Sequence, residues 1–208
     1  MSKLNKIASA DLLLTIAVIA AFALDLCPTT AYAKPAPKAA HSGVIFDFEN
    51  GTQGWSSKGI SFSQAAAGAT SGKHSLKVAN YNGAFAWIGS DKAGGSAARA
   101  LHDASAVYFD VTFTSNVTMK KDKGGSQWFS FIVAAIGSDG KWNQAKGAAA
   151  LPVTNGVIKA GTYPLQIPLT GMPRPASSSA TLTFNLGPNS SGLAKPITFY
   201  IDSIRTAK

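Results

Sequence analysis

The stretch VYFDVTF, residues 107–113, alternates apolar and polar side chains along its whole length. Successive side chains of a strand point to opposite faces, so Val107, Phe109, Val111 and Phe113 share one face while Tyr108, Asp110 and Thr112 share the other. Period two of this kind marks a half-buried β-strand. TLTFNL (181–186) repeats the pattern, with Leu182, Phe184 and Leu186 opposed to Thr181, Thr183 and Asn185. Working outward from these two, further runs rich in Val, Ile, Phe, Tyr and Thr stand at 43–49, 74–81, 84–89, 127–137, 162–169 and 197–206. Turn dipeptides punctuate the chain at Asn50-Gly51, Asn82-Gly83, Asp139-Gly140 and Asn155-Gly156. Short strands separated by turn signals predict a two-sheet antiparallel sandwich, with 95–105 as the one stretch suited to a helical turn. In QWFSFIVAAI (127–136) both faces are apolar; Trp128 falls with Ser130 and Ile132, Phe129 with Phe131 and Val133.

Upstream of the strands, Lys3 and Lys6 precede an apolar run from Leu12 to Leu24 and then Ala-Tyr-Ala at 31–33. Charged, apolar and small-residue segments in that order read as a secretory signal peptide, residues 1–33, cut after Ala33. The apolar run is shorter than the roughly 20 residues a membrane-spanning helix needs. Cleavage would remove Cys27, the chain's one cysteine, and leave an exported domain without disulfides. KPAPKAAHSG (34–43) reads as a tether and 44–208 as a single domain. The leader's two lysines are balanced by Asp11 and Asp25, so the net charge of +9 belongs to residues 34–208. Such a surface attracts polyanions, acidic polysaccharides among them. The lysines are scattered, with one dense run at 120–123, and no basic helix or recognition motif points to nucleic acid.

Glu49 is the chain's one glutamate. It stands in FDFENGTQGW (46–55), which is followed by SGKHSLKV (71–78) and, near the end, FYIDSI (199–204). In this order the three motifs resemble the jelly-roll, galactose-binding-like carbohydrate-binding modules attached to cellulases, mannanases and xylanases, over roughly residues 43–206. The resemblance implies an all-β, two-sheet antiparallel jelly-roll β-sandwich. It also implies a structural calcium tying first strand to last, held by Glu49 and Asp202 with main-chain carbonyls near Gly72–His74. Such a site suits the hard cation's need for about six to eight oxygens. The alternative reading has Glu49 capping a turn and pairing with Lys73 or Lys58, and Asp47 is the alternate ligand.

The resemblance further implies non-covalent binding of a plant or microbial cell-wall polysaccharide, acting alone or beside separately encoded glycan-degrading enzymes. Sugar rings stack on flat aromatics, and their hydroxyls need amides, carboxylates or Arg. Trp55 matches a packing position. Trp142, flanked by Asn143 and Gln144, and Trp128 are expected to stack on sugar, with Trp87, which shares parity with Phe85, as a further candidate. The strand of Trp128 is expected beside FDVTF and TFNL in one sheet, where Tyr108, Asp110, Asn185 and Gln144 would order hydroxyls. Arg99 is expected to be solvated. Hydrolysis of glycosides needs two carboxylates flanking the scissile bond; Asp110 is the one other acid expected near a groove. His41, His74 and His102 lie in no catalytic motif, and no nucleophile elbow is present. The sequence reading is therefore non-catalytic, with a structural or adhesive sandwich and an unrecognised lyase or hydrolase as the competing classes.

Overall fold

The computed structural model describes residues 43–121, 125–137, 140–174 and 183–208. The leader (1–33), nearly all of the tether, His41, Asp139 of one turn dipeptide and Leu182 lie outside the described residues. In chain order the elements are β1 (Gly43–Phe46), β2 (Trp55–Ser56), β3 (Ser61–Ala65), β4 (Ser75–Tyr81), β5 (Ile88–Ser90), α1 (Gly94–His102), β6 (Ala106–Phe113) and β7 (Val117–Thr118). They continue with β8 (Phe129–Ile136), β9 (Trp142–Gln144), β10 (Ala149–Ala150), β11 (Val157–Ile158), β12 (Gly161–Pro168), β13 (Thr183–Ser190) and β14 (Ile197–Ala207).

The strands form two antiparallel sheets. One runs β12-β6-β14-β4-β3, with β1 also on β14; the other runs β10-β8-β13-β5-β2, with β9 also on β8. The chain crosses from sheet to sheet between β1 and β2, β2 and β3, β4 and β5, β5 and β6, β6 and β8, β10 and β12, β12 and β13, and β13 and β14, which makes a jelly-roll β-sandwich. β12 is an edge strand, which is why it tolerates Pro164 and Pro168: neither can donate to a ladder. A small pair, β7 with β11, lies apart from both sheets.

Parity read from sequence holds. Val107, Phe109, Val111 and Phe113 of β6 are buried, as are Phe129, Phe131 and Val133 of β8 and Phe184 and Leu186 of β13. The first sheet adds Leu76, Val78, Phe199, Ile201 and Ile204 to this core. Phe199 is surrounded by rings, with centroids 5.7 Å from Tyr81, 5.9 Å from Phe131, 6.1 Å from Phe113 and 6.4 Å from Phe129. A second ring cluster joins Phe46, Phe48, Trp55 and Phe184, so Trp55 is core as expected. The first strand is shorter than its sequence implies. It ends at Phe46 because Phe48, at φ 56, leaves the extended region and turns its ring into this cluster.

In β14 the register against β6 slips between Asp202 and Arg205, so one extra residue sits on β14. Ser203, at φ 58, lies within this bulge. Partners on the other edge change at the same place: β4 pairs with Ile197–Ile201, β1 with Ile204–Thr206.

Packing of this density makes ring removal costly. Phe199→Ala is expected to lower unfolding free energy by about 3–5 kcal/mol in urea melts, whereas Phe85→Ala, at a ring 46% exposed, lowers it by less than about 1 kcal/mol.

Candidate functional site

The outward row of β8 is Ser130, Ile132, Ala134 and Ile136, since the alternate residues fill the core. Across from it on β13 stand Asn189, Gly187, Asn185 and Thr183. β9 pairs Trp142 with Ile136 and Gln144 with Ala134, which puts Trp142 and Gln144 on this outer face. The connection between β4 and β5 carries Phe85 and Trp87 over the same face. Phe85 meets Trp87 edge-on at 5.0 Å, and Trp87 meets Trp142 at 4.7 Å with planes 73° apart. The outer rings of this chain are the exposed ones: Phe85 at 46% and Trp142 at 44%. Trp142 Nε1 donates to Gln144 Oε1 at 3.4 Å, which steadies the indole.

Two glycines make room for this arrangement. A Cβ on Gly187 would come within 3.0 Å of Phe85 Cε2 and Trp87 Cζ3 and 2.8 Å of Ile132 Cγ1, so the rings settle against bare backbone. Gly89 lies opposite Asn185 and leaves space for its amide. Asn185 is 8% exposed, and its Nδ2 is buried without a hydrogen-bond partner.

Trp128 extends the outward row of β8 beyond Ser130. Ser191 N donates to Trp128 O at 2.9 Å and Trp128 N donates to Ser191 Oγ at 3.1 Å, continuing the β8–β13 ladder by one pair. Its ring, 40% exposed, lies at the opposite end of this face from Ile136, the partner of Trp142.

The structure therefore gathers Trp87, Trp142, Asn185 and Gln144 and places Trp128 on the same face. It separates Tyr108 and Asp110 from them. Both belong to β6, which lies in the other sheet, and both point away from the core on the far side of the sandwich. A groove shared by Tyr108, Asp110 and Trp128 does not exist; alternation identifies a strand's outward residues but not its sheet. Arg99 is exposed on α1, which packs along β1. Phe85, absent from the sequence-derived candidates, joins the site by packing edge-on against Trp87.

The expected calcium ligands show a different chemistry. Glu49 Oε1 accepts from the main-chain N of Lys73 and of His74, both at 2.8 Å, and His74 Nδ1 stands 3.4 Å from Oε2. Asp202 is wholly buried; its Oδ2 accepts from Thr70 N at 2.6 Å, Ser71 N at 2.9 Å and Thr70 Oγ1 at 3.0 Å, and its Oδ1 from Ser203 N at 2.6 Å. Residues 70–74 thus turn N–H groups, not carbonyls, toward both carboxylates. Asp110 lies directly across the ladder from Asp202; its Oδ2 stands 2.7 Å from Thr70 Oγ1, sharing that hydroxyl's single proton with Asp202, and accepts from Arg205 at 3.4 Å. Among the described residues, no three Asp, Glu, His or Cys side chains cluster as metal ligands would. This donor set does not fit calcium, whose ligands are oxygens with free lone pairs.

No protein-family model matches the chain, and no curated protein matches it significantly. Solved structures do match in fold. One is a carbohydrate-binding module specific for non-crystalline cellulose, CBM28: TM-score 0.53 at 14% identity, over 80% of this chain and 94% of that one. Another belongs to the carbohydrate-binding modules of the β-sandwich superfamily, studied for promiscuous specificity: TM-score 0.51 at 16% identity, over 80% of this chain and 62% of that one. The fold is the β-sandwich of carbohydrate-binding modules.

The amides of His74 and Lys73 hold the Glu49 carboxyl below its usual range. A group depressed in the folded state adds stability that is complete above its unfolded pKa and disappears as pH falls through the folded one. Urea midpoints should therefore decline below about pH 4.5, and less steeply in Glu49→Gln. Asp202→Ala, which strands buried amide donors, should cost roughly 3 kcal/mol or more in the same assay. Protein treated with EDTA is expected to melt at the same temperature as protein in millimolar calcium.

Proposed function

We propose that this chain binds a polysaccharide non-covalently along the outer face of β8 and β13, as an exported module working beside glycan-degrading enzymes. The exposed ring cluster Phe85–Trp87–Trp142 carries this reading. Three large aromatic side chains partly open to water on one sheet face are costly for a chain that has a full core elsewhere, and such patches mark binding surfaces. Rings presented to solvent suit the apolar C–H faces of pyranoses. Trp142 and Trp128 take sugar rings toward the two ends of the face, and Gln144 supplies an amide for hydroxyls between them. The cellulose specificity of one structural neighbour agrees with a glycan as the ligand class.

Catalysis is not part of this reading. Asp110 and Asp202 face each other across the β6–β14 ladder, but Thr70 bonds to both and they are 9% and 0% exposed. A substrate has no approach to a pair so covered.

Affinity electrophoresis of the purified protein against cellulose, mannan, xylan, β-glucan, pectin and alginate tests the proposal. Binding to at least one member is expected without released sugar. Trp142→Ala should weaken it about tenfold, a loss ordinary for an aromatic anchor, while Tyr108→Ala, on the opposite sheet, binds as before. Failure to bind any glycan would turn the reading to a structural or adhesive sandwich, and released sugar would turn it to an enzyme.

A further inference from the structure

Between Asp110 and Asp202 the sequence carries eight lysines and arginines against two acids, Asp122 and Asp139. Both acids lie outside the described residues. This interval contains β8, β9, β10 and β13, which make up most of the sheet bearing the rings. Three of these basic side chains stand near one another. Lys120 and Lys121 come just after β7, and Lys195 stands on the turn between β13 and β14; all three are exposed. Backbone pairing brings them together: Met119 bridges Leu193, Lys120 N donates to Gly192 O at 3.0 Å, and Ala194 N donates to Thr118 O at 3.1 Å.

The same turn holds Trp128 through Ser191. Gln127 Nε2 reaches back to Lys120 O at 2.9 Å. Ser190 Oγ donates to Gly83 O at 2.8 Å, fastening the turn to the segment that leads into Phe85 and Trp87. One structural unit thus links the ring cluster, the end tryptophan and three lysines. None of the three lysines has an ion-pair partner among the described residues. The acids that are described are engaged elsewhere or lie outside this interval: Glu49, Asp110 and Asp202 are bound to amides, Thr70 or Arg205, and Asp103 faces His102 and Lys208. Like charges gathered with no described counterion repel, and an anionic ligand relieves that repulsion.

We propose that the polysaccharide is an anionic one, bearing uronate carboxylates or sulfate esters, with Lys120, Lys121 and Lys195 taking its charges beside Trp128. This rests on the reading of the ring face as a polysaccharide site. In this arrangement the rings supply contact and the lysines select a charged chain over its neutral counterpart.

Calorimetric titration with matched ligands separates the two ideas. A polyuronate, the same backbone fully methyl-esterified, and a sulfated galactan are titrated at low and high salt into wild type, Trp128→Ala, Trp142→Ala and the triple variant K120A/K121A/K195A. Expected are preference for a charged ligand, weakening with salt as exposed charges are screened, and a loss of about tenfold in the triple variant. The two tryptophan variants should lose as much on the same ligand. Whichever of polyuronate and sulfated galactan binds more tightly identifies the source of the charge. Equal affinity for the esterified backbone, with the triple variant unaffected, overturns the anionic assignment and leaves the polysaccharide site standing. Charged ligands that bind Trp128→Ala and Trp142→Ala unchanged, or that polyglutamate displaces as well as polysaccharide does, reduce the effect to bulk charge and overturn it too. No binding to any of the three ligands overturns the anionic assignment, and the polysaccharide site then stands or falls with the neutral glycans of the electrophoresis panel.

Discussion

A carboxyl group with no exposed surface is costly to bury unless donors surround it, and Asp202 sets that requirement at the centre of the first sheet. The protein meets it twice over. The bulge in β14 aims the N–H of Ser203 at Oδ1, and the loop after β3 folds across the sheet to bring Thr70 and Ser71 to Oδ2. The next amides of that loop, Lys73 and His74, serve Glu49 just beyond β1. First strand, last strand and covering loop are thereby tied by charge-assisted bonds, the strong kind. Asp110, directly opposite, is drawn into the same arrangement through Thr70 and Arg205. This cover has a functional consequence. It closes part of the first sheet's outer face, so the face left with open rings belongs to the second sheet.

How far the chain could be read without its structure is set by the physics of alternation. Parity in VYFDVTF names inward and outward residues correctly, because one face of the strand is buried and a slip by one residue would expose it; in the run after Trp128 both faces are apolar, and parity groups the residues without choosing the inward set. Parity is a property of a single strand, however, and carries nothing about which sheet the strand joins. Tyr108 and Asn185 therefore looked like neighbours and lie on opposite sides of the sandwich. The tie between Glu49 and Asp202 was legible through their place in the first and last motifs. Whether the loop between would offer carbonyls or N–H groups was not, since that depends on peptide orientation within 70–74 and residue type barely influences it. Phe85 was missed for a related reason. Its segment reads as a strand from Ala84, yet the ladder starts only at Ile88, and the residues before it, held to β13 through Ala86 N on Pro188 O, lay their rings over Gly187.

The ring face shows where binding strength would come from on the reading proposed here. Phe85, Trp87 and Trp142 brace one another edge-to-face, an arrangement worth about 0.5–1.5 kcal/mol per pair beyond simple burial. Side chains already held in place lose little freedom when a ligand settles on them, so more of the contact energy appears as affinity. Asn185 works in the other direction. An amide donor left unmade in a nearly dry position costs about 1–3 kcal/mol, and Gly89 keeps the space that lets it stay there. A fold selected for stability alone would place an apolar side chain at that position. Asn185 Nδ2 has no surface for a ligand to reach, so on this reading a hydroxyl meets the exposed amide of Gln144 beside Trp142 instead, with the rings fixing the ligand's plane and that amide its register.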